Sequence, residues 1–437
     1  MKGKSNINNL SFTRRDFIKS SAAAGLASLA FGANRIYASG SDKIRIGLIG
    51  CGGRGTYDTT NCLNAEENLE LAAMGDLFED HLTSCRQSLT ENLGEKIKVT
   101  DETCFTGWDA YRKVLACDLD LVILTTTPHF RPEHLQAAIE AGKHVFMEKP
   151  VAVDPVGVRS VIASSELAEQ KNLTIVAGTQ MRRISHLVEG IKCIHNGDIG
   201  EILSGQCVRL GDAMSGWGPQ RQPGWSDMEW QLRRWLFMTW LSGDFIVEQH
   251  IHNLDIINWA IGSHPIKCVG LGGRQARTEP KFGNVYDHFA VEYEYPNGIR
   301  IEYMGAQIDG CSFRNNQRLV GTKGSVYTDF GKAVGEGQNP FEYNWDELNP
   351  CIKQHADQIN AIRQGESLNE GRQIAESSLT AIMGRMSAYT GRALNWDWAM
   401  NASKLDMSLE KYEFTDLPLE PVAVPGKTKL ILNENNT

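Results

Sequence analysis

Nine residues, VEQHIHNLD at 247–255, hold Glu248, His250, His252 and Asp255. Imidazole titrates near neutrality and a carboxylate beside it can fix its tautomer and basicity. Such a cluster suits proton transfer, metal ligation, or nothing more than a polar helix end. Spacing weighs among the three. In GDFIVEQHIHNLDIINWAIG (243–262) the apolar residues fall at 245, 246, 251, 254, 257 and 261, a helical period rather than a strand period. On one continuous helix Glu248 and His252 lie a turn apart on a shared face, Asp255 falls near His252, and His250 points elsewhere. On a strand, 248, 250 and 252 would share a face and could chelate a metal. The helical period, and the lack of a third soft ligand placed by the sequence, favour an acid–base histidine oriented by Glu248, with no metal.

A second chemical cluster lies near the start. KIRIGLIG (43–50) reads as a buried strand, and it runs into GCGGRG, where Gly50, Gly52 and Gly55 satisfy G-x-G-x-x-G, with Gly53 and Arg54 inside the loop. Glycine is needed where a backbone turns tightly and approaches a pyrophosphate, with the N–H groups of the following helix facing the anion. The next strand, LELAAMGD (69–76), ends in Asp76, twenty-one residues beyond Gly55. A carboxylate there can accept hydrogen bonds from a ribose and repels a 2′-phosphate, which favours NAD over NADP.

These groups need elements to position them. DLVILTTTP (120–128), KHVFMEKP (143–150) and LTIVAGT (173–179) read as strands, separated by the helical PEHLQAAIEAG (132–142) and by a helix that Asp154 caps and Pro155 opens. Such alternation implies an α/β Rossmann domain, a doubly wound parallel sheet, over 41–178. Ligands gather at the strands' carboxyl ends, where Thr126, Thr127, Pro128, Glu148 and Lys149 fall. From about 180 the pattern changes. YDHFAVEYEY and IRIEYMGAQI flank Pro296-Asn297-Gly298 as a hairpin, and RLVGTKGSVYTD (318–329) reads as another strand–turn–strand. The second domain, 179–437, is therefore α+β, with an open and mainly antiparallel sheet, and its last helices are expected to pack back on the first domain.

Five of the ten tryptophans fall between 217 and 240, the early ones in a Gly/Pro-rich stretch. Indoles on a loop suit the C–H faces of sugar rings or a subunit interface, and Trp217 and Trp235 are candidate substrate contacts. Ten scattered cysteines form no CxxC pair, so neither a zinc cage nor a redox couple is signalled. The formal charge of −9 gives no general attraction to nucleic acid or to anionic membranes. Residues 1–40 stand apart. TRRDFIK precedes a short, weakly apolar Ala/Gly-rich run, the layout of a twin-arginine export signal and not of a stable membrane span. The segment holds six Lys/Arg and one Asp, so its removal would leave 38 positive and 52 negative groups, a net −14.

The GxGxxG strand–helix, TTTPHFRPEH (125–134), GKHVFMEKP (142–150), GDIGEI (197–202) and SGDFIVEQHIHNLDIINWAIG (242–262) together resemble the Gfo/Idh/MocA family of oxidoreductases. That resemblance implies that Lys149 touches both a substrate hydroxyl and the nicotinamide, that Glu248 and His252 are the general base and its partner, and that His134 lies beside the cofactor. Gln180, Arg182, His250 and Asp255 would line the substrate site. Glu248 stands where the family commonly has Asp, and His250 where Gly is common. The implied activity is oxidation of a sugar or glycoside hydroxyl by hydride transfer to tightly held NAD. The alternative is a redox-neutral NAD-dependent glycosidase that oxidises, eliminates, hydrates and reduces. A periplasmic location and a homo-oligomer, dimer or tetramer, are further expectations.

Overall fold

The computed structural model describes residues 43–346 and 348–430; the export signal expected over 1–40 lies outside the described residues. The first sheet contains β1 (Ile44–Ile49), β2 (Leu69–Asp76), β3 (Cys104–Thr106), β4 (Leu121–Leu124), β5 (His144–Met147) and β6 (Ile175–Ala177). All pairs are parallel and the order is β3-β2-β1-β4-β5-β6. Ile46, Leu48, Leu121, Val122, Ile123, Val145 and Phe146 have no solvent exposure. That is the continuous apolar character a sheet needs when helices cover both of its faces. The chain reverses direction sideways between β1 and β4, so the carboxyl ends of those strands open a crevice beside the glycine loop. The Asp154 side chain caps the helix Pro155–Gln170 by accepting from the Gly157 N–H at 2.7 Å.

The second sheet has nine strands: β7 (Ile202–Gly211), β8 (Lys267–Gly273), β9 (His288–Glu294), β10 (Arg300–Gln307), β11 (Arg314–Gly321), β12 (Gly324–Asp329), β13 (Lys332–Gly337), β14 (Phe341–Asn344) and β15 (Leu394–Asn395). Their order is β14-β13-β12-β11-β7-β10-β9-β8-β15. The hairpin β9–β10 turns at Pro296–Gly298, where Asn297 and Gly298 have positive φ. One pair, β7–β10, is parallel, so the sheet is mixed although mostly antiparallel. Helix Pro350–Gln364 packs against helix Gly53–Ala65 of the first sheet's layer, and Gln358 donates to the Val145 carbonyl at 2.8 Å. Helix Gly371–Thr390 is buried along most of its length between the two sheets' layers. From residue 403 to 430 the chain runs without helix or strand across both layers. It is tied by the Leu417 carbonyl to Gln231 (2.7 Å) and by the Ala423 carbonyl to the Tyr286 hydroxyl (2.9 Å). No helix among the described residues is long and apolar enough to cross a membrane.

The continuous helix expected over 245–261 is broken. It consists of Phe245–Glu248 and Ile251–Ile261, joined through Gln249 and His250. His250 N–H bonds back to the Phe245 carbonyl, five residues earlier, so the hydrogen-bond ladder slips. Side chains from other elements take the carbonyls at the break. Lys149 donates to the Glu248 carbonyl at 2.6 Å and Arg209 to the Gln249 carbonyl at 2.7 Å. Both interactions are long-range, and helical periodicity cannot register them.

Candidate active site

The glycine loop has the shape that its sequence requires. Gly50 has φ of 99°, and a Cβ there would stand 2.6 Å from the Thr126 backbone nitrogen. A Cβ on Gly55 would stand 2.0 Å from the Gly50 carbonyl oxygen. At Gly52 and Gly53 a Cβ would meet no protein atom within 4 Å, so the loop is tight on its inner side and open on the other. The open side lies at the N-terminus of the 13-residue helix Gly53–Ala65, where unpaired N–H groups favour an anion. Asp76 accepts from the Cys51 N–H (2.6 Å) and the Phe78 N–H (2.8 Å), tying the loop to the turn after β2. His81 Nδ1 lies 3.6 Å from the same carboxylate, which still has capacity to accept more. Around the same carboxyl ends, Thr127 Oγ1, Thr179 Oγ1 and Gln180 Oε1 are buried without a hydrogen-bond partner. Unsatisfied buried polar atoms are costly and concentrate where a polar ligand completes the site. The residues present therefore fit a dinucleotide.

Arg54 and Glu148, both expected at the cofactor, bind each other. Arg54 Nε donates to Glu148 Oε1 at 2.9 Å and to Asp58 Oδ2 at 3.1 Å, and Nη2 also donates to Glu148. Burial, and then the neighbouring Glu148 carboxylate, push the Asp58 carboxyl well above the usual range. His134 contacts Thr126 Oγ1 through Nδ1 at 3.1 Å and stacks on Tyr111 with centroids 4.1 Å apart. Burial lowers its pKa to about 3, so its imidazole is neutral and supports the threonine turn after β4.

At the carboxyl end of β5, the Lys149 ammonium donates to the carbonyl of Glu248 and, at 3.1 Å, to its carboxylate. The pairing of Glu248 with His252 expected from one helix face does not form, because the helix breaks between them and Lys149 claims the carboxylate. His252 is buried, and its Nδ1 has no partner. Burial, then the Lys149 and Arg209 cations, hold its imidazole well below the usual range, so it is neutral at pH 7.

Other expected site residues are engaged elsewhere. Arg182 makes a two-pronged bond to Asp255 (2.8 and 2.9 Å), and the Ser377 hydroxyl also donates to Asp255 at 2.7 Å. Arg182 lies over Trp259 and lines a separate cavity of about 480 Å³. His250 meets the Tyr303 hydroxyl at 2.6 Å in the core. Trp217 packs edge-on against Trp235, centroids 5.5 Å apart, and against Phe237. Trp240 likewise donates to Gln231 and packs edge-on to His129.

Sequence reasoning missed two contributors. Arg209 on β7, with Gln307 on β10 and Asn315 on β11, lines a cavity of about 270 Å³ that reaches Gln249 and His250. The terminal segment supplies Tyr412, hydrogen-bonded to His129 Nε2 at 2.7 Å, and Phe414, stacked on Phe78 and close to Trp108. Neither has a local signal: the burial of β7 does not alternate along the strand, and nothing in the sequence marks the terminal segment. Among the described residues no group of three or more His, Cys, Asp or Glu could hold a metal ion.

A Rossmann sheet with a glycine cradle, joined to a large mixed sheet that walls the crevice, defines a two-domain NAD-binding oxidoreductase architecture. Residues 44–179 match the oxidoreductase family NAD-binding Rossmann fold, and residues 191–327 match the GFO/IDH/MocA C-terminal domain. These segments together span more than half of the chain, which belongs to the Gfo/Idh/MocA family. The 2,7-anhydro-N-acetylneuraminate hydratase of Escherichia coli (strain K12) is 29% identical over 50% of this chain and 53% of its own length. The chain thus spans about half of that relative. The inositol 2-dehydrogenase of Rhodococcus jostii (strain RHA1) is 23% identical over 78% of this chain and 84% of its own. The solved structure of levoglucosan dehydrogenase in complex with NADH and levoglucosan superposes with a TM-score of 0.65 at 17% identity, covering 81% of this chain and 99% of that one.

Proposed function

We propose that the protein oxidises a hydroxyl of a sugar or glycoside by hydride transfer to tightly held NAD. The observation that carries this reading is a neutral, unpartnered His252 imidazole near the Lys149 ammonium, at the carboxyl edge of a sheet whose glycine cradle is open toward solvent. Gly50, Gly52, Gly53, Gly55 and Asp76 would hold the dinucleotide, which when bound supplies a hydride acceptor. His252 accepts the hydroxyl proton. Lys149 donates a hydrogen bond to the same oxygen and stabilises the negative charge that builds there. Glu248 holds Lys149 in place and does not orient the histidine. The Asp76 carboxylate favours NAD over NADP.

A second reading is redox-neutral: oxidation, elimination, addition of water and reduction, with the nucleotide restored. The hydratase relative favours it, because addition of water is named there. Export through the twin-arginine route fits either version, since a protein outside the cytoplasm must arrive folded around its nucleotide. An exposed apolar strip formed by Val269, Leu271 and Met304 on the outer face of the second sheet supports association of protomers through that face. The test has two steps. The nucleotide released by denaturing the purified protein should be NAD, and a preparation that carries and binds no dinucleotide would end the proposal. The holo-protein is then incubated with glycosides and no added acceptor. Stalled NADH with stoichiometric keto-sugar supports oxidation, whereas free sugar supports the redox-neutral cycle.

A further inference from the structure

Arg209 is a cation without a carboxylate. Its Nη1 donates to the Gln249 carbonyl (2.7 Å) and more distantly to Asn253 Oδ1 (3.4 Å), both neutral acceptors. Asn253 is held in that orientation because its Nδ2 donates to Asn315 Oδ1 at 2.7 Å. The other edge of the guanidinium, Nε and Nη2, donates to no group among the described residues, and the residue lines the 270 Å³ cavity between β7, β10 and β11. Glu248, a carboxylate whose charge Arg209 feels, is already paired with Lys149. A guanidinium with its planar fork unoccupied is shaped for two parallel hydrogen bonds to a carboxylate.

The surrounding charge points the same way. The buried or half-buried cations of the cluster are Arg54, Arg131, Lys149 and Arg209, and the carboxylates facing them are Asp58, Glu148 and Glu248. Arg54 is paired with Glu148 and Asp58, and Lys149 with Glu248, whereas Arg209 has no carboxylate of its own. Asp212, the carboxylate on the cavity's rim, is exposed to water, where its field is screened. Arg209 bonds only neutral acceptors, so a neutral ligand would leave its guanidinium without a counter-ion. Gln307, whose amide donates to Gln249, and Asn315 add polar groups to the wall, and Phe330 adds an aromatic face.

Resting on the oxidoreductase reading above, we infer that the substrate is a sugar acid. Its carboxylate docks on the Nε–Nη2 edge of Arg209, which brings a ring hydroxyl toward His252 and Lys149. Arg209 is the specificity determinant: its bond to the Gln249 carbonyl also fixes the helix break that separates Glu248 from His252.

The test compares the methyl glycosides of glucuronic, galacturonic and mannuronic acid with their carboxamides, which keep the ring and lose the charge. Binding to the nucleotide-loaded protein is measured by calorimetry, and turnover by nucleotide absorbance. At least one acid should bind roughly 10- to 100-fold tighter than its own amide, the worth of a charge-assisted fork. In Arg209→Gln that preference should shrink to about twofold or less, and Arg209→Lys, which keeps the charge but not the fork, should recover part of it. The change should appear in KM more than in kcat. Equal binding of acid and amide by the unaltered protein overturns the inference without any variant. So does a preference that survives Arg209→Gln, or a panel in which no acid binds. Turnover of neutral glycosides with the acids ignored sinks the sugar-acid inference and leaves the oxidoreductase standing. A protein with no dinucleotide and no turnover of either class sinks both.

Discussion

Replacing Lys149 by Met tests the core of the site, because that ammonium has two separable jobs. Its side chain is 12% exposed, as is that of Glu248, so the pair is largely withdrawn from water. Methionine keeps most of the volume but removes the donor to the Glu248 carbonyl and carboxylate. The carboxylate is then buried without its cation, and truncating one partner of such a pair costs about 3 kcal/mol, the lower end for buried pairs since some water still reaches it. Lys149→Met should therefore lower the urea-unfolding free energy by about 3 kcal/mol. The double variant Lys149→Met/Glu248→Gln should recover at least half, because a neutral amide no longer needs a counter-ion. Activity should behave differently. Loss of a donor aimed at a developing oxyanion costs roughly 100- to 1000-fold in kcat, and restoring stability does not restore the donor. Urea titrations and single-turnover nucleotide reduction on the same preparations separate the two effects. Full activity in Lys149→Met, or recovery of activity in the double variant, would refute the assignment of Lys149 to the reacting oxygen. An unchanged stability would refute the buried ion pair.

The glycine loop offers a paired test. Gly55→Ala places a methyl 2.0 Å from the Gly50 carbonyl and should distort the loop, whereas Gly52→Ala meets no protein atom. Both should cut the nucleotide retained on purification at least tenfold, yet only Gly55→Ala should lower the melting temperature; retention of nucleotide by both excludes this loop as the cradle. Stability should also fall as the solution is acidified. Burial lowers His129 and His144 to about 4, and His134 and His355 to about 3, with His250 and His252 moved the same way. These groups stay neutral in the folded state while the unfolded chain protonates them below its ordinary value of about 6.5. Each therefore removes up to about 1.4 kcal/mol per pH unit as pH drops from 6.5 toward 4. Asp58, Asp154 and Asp244, raised by burial, have the opposite sign in that window, because they hold protons that the unfolded chain has lost. Six histidines against three carboxyls leave net proton uptake on unfolding, so urea midpoints should drop clearly between pH 7 and 5. Midpoints that do not change would contradict the burial of these imidazoles.

The terminal segment has a structural role that follows from its contacts. Tyr412 and Phe414 close over His129, Phe78 and Trp108, at the carboxyl ends of β2, β3 and β4. Trp225, Trp230 and Trp240 join the same layer from the other side, and Arg233 lies over both Phe78 (3.9 Å) and Trp225 (4.8 Å). Aromatic residues that read as a sugar contact or a subunit anchor in the sequence also knit distant segments together within the chain. An indole buries a large area against whatever surface tertiary packing brings to it, so its type alone does not select a partner.

Local physics made much of the fold legible in the chain. Apolar runs ending in glycine, the Asp154–Pro155 helix start and the Pro296–Gly298 turn each encode their element within a few residues, because backbone geometry and face periodicity are short-range properties. Gly50 and Gly55 belong here too, since the tight turn excludes a side chain whatever else surrounds it. The chemistry of the site was decided at longer range. Arg54 reaches Glu148 across 94 residues and Lys149 reaches Glu248 across 99. A charge buried in the crevice seeks the nearest counter-ion in space, and only the packing of two sheets determines which one that is. For that reason the sequence placed Glu248 beside His252 on an unbroken helix. In the folded protein Lys149 and Arg209 take the carbonyls at 248 and 249, the helix breaks, and His252 is left without the carboxylate, its buried Nδ1 unpartnered.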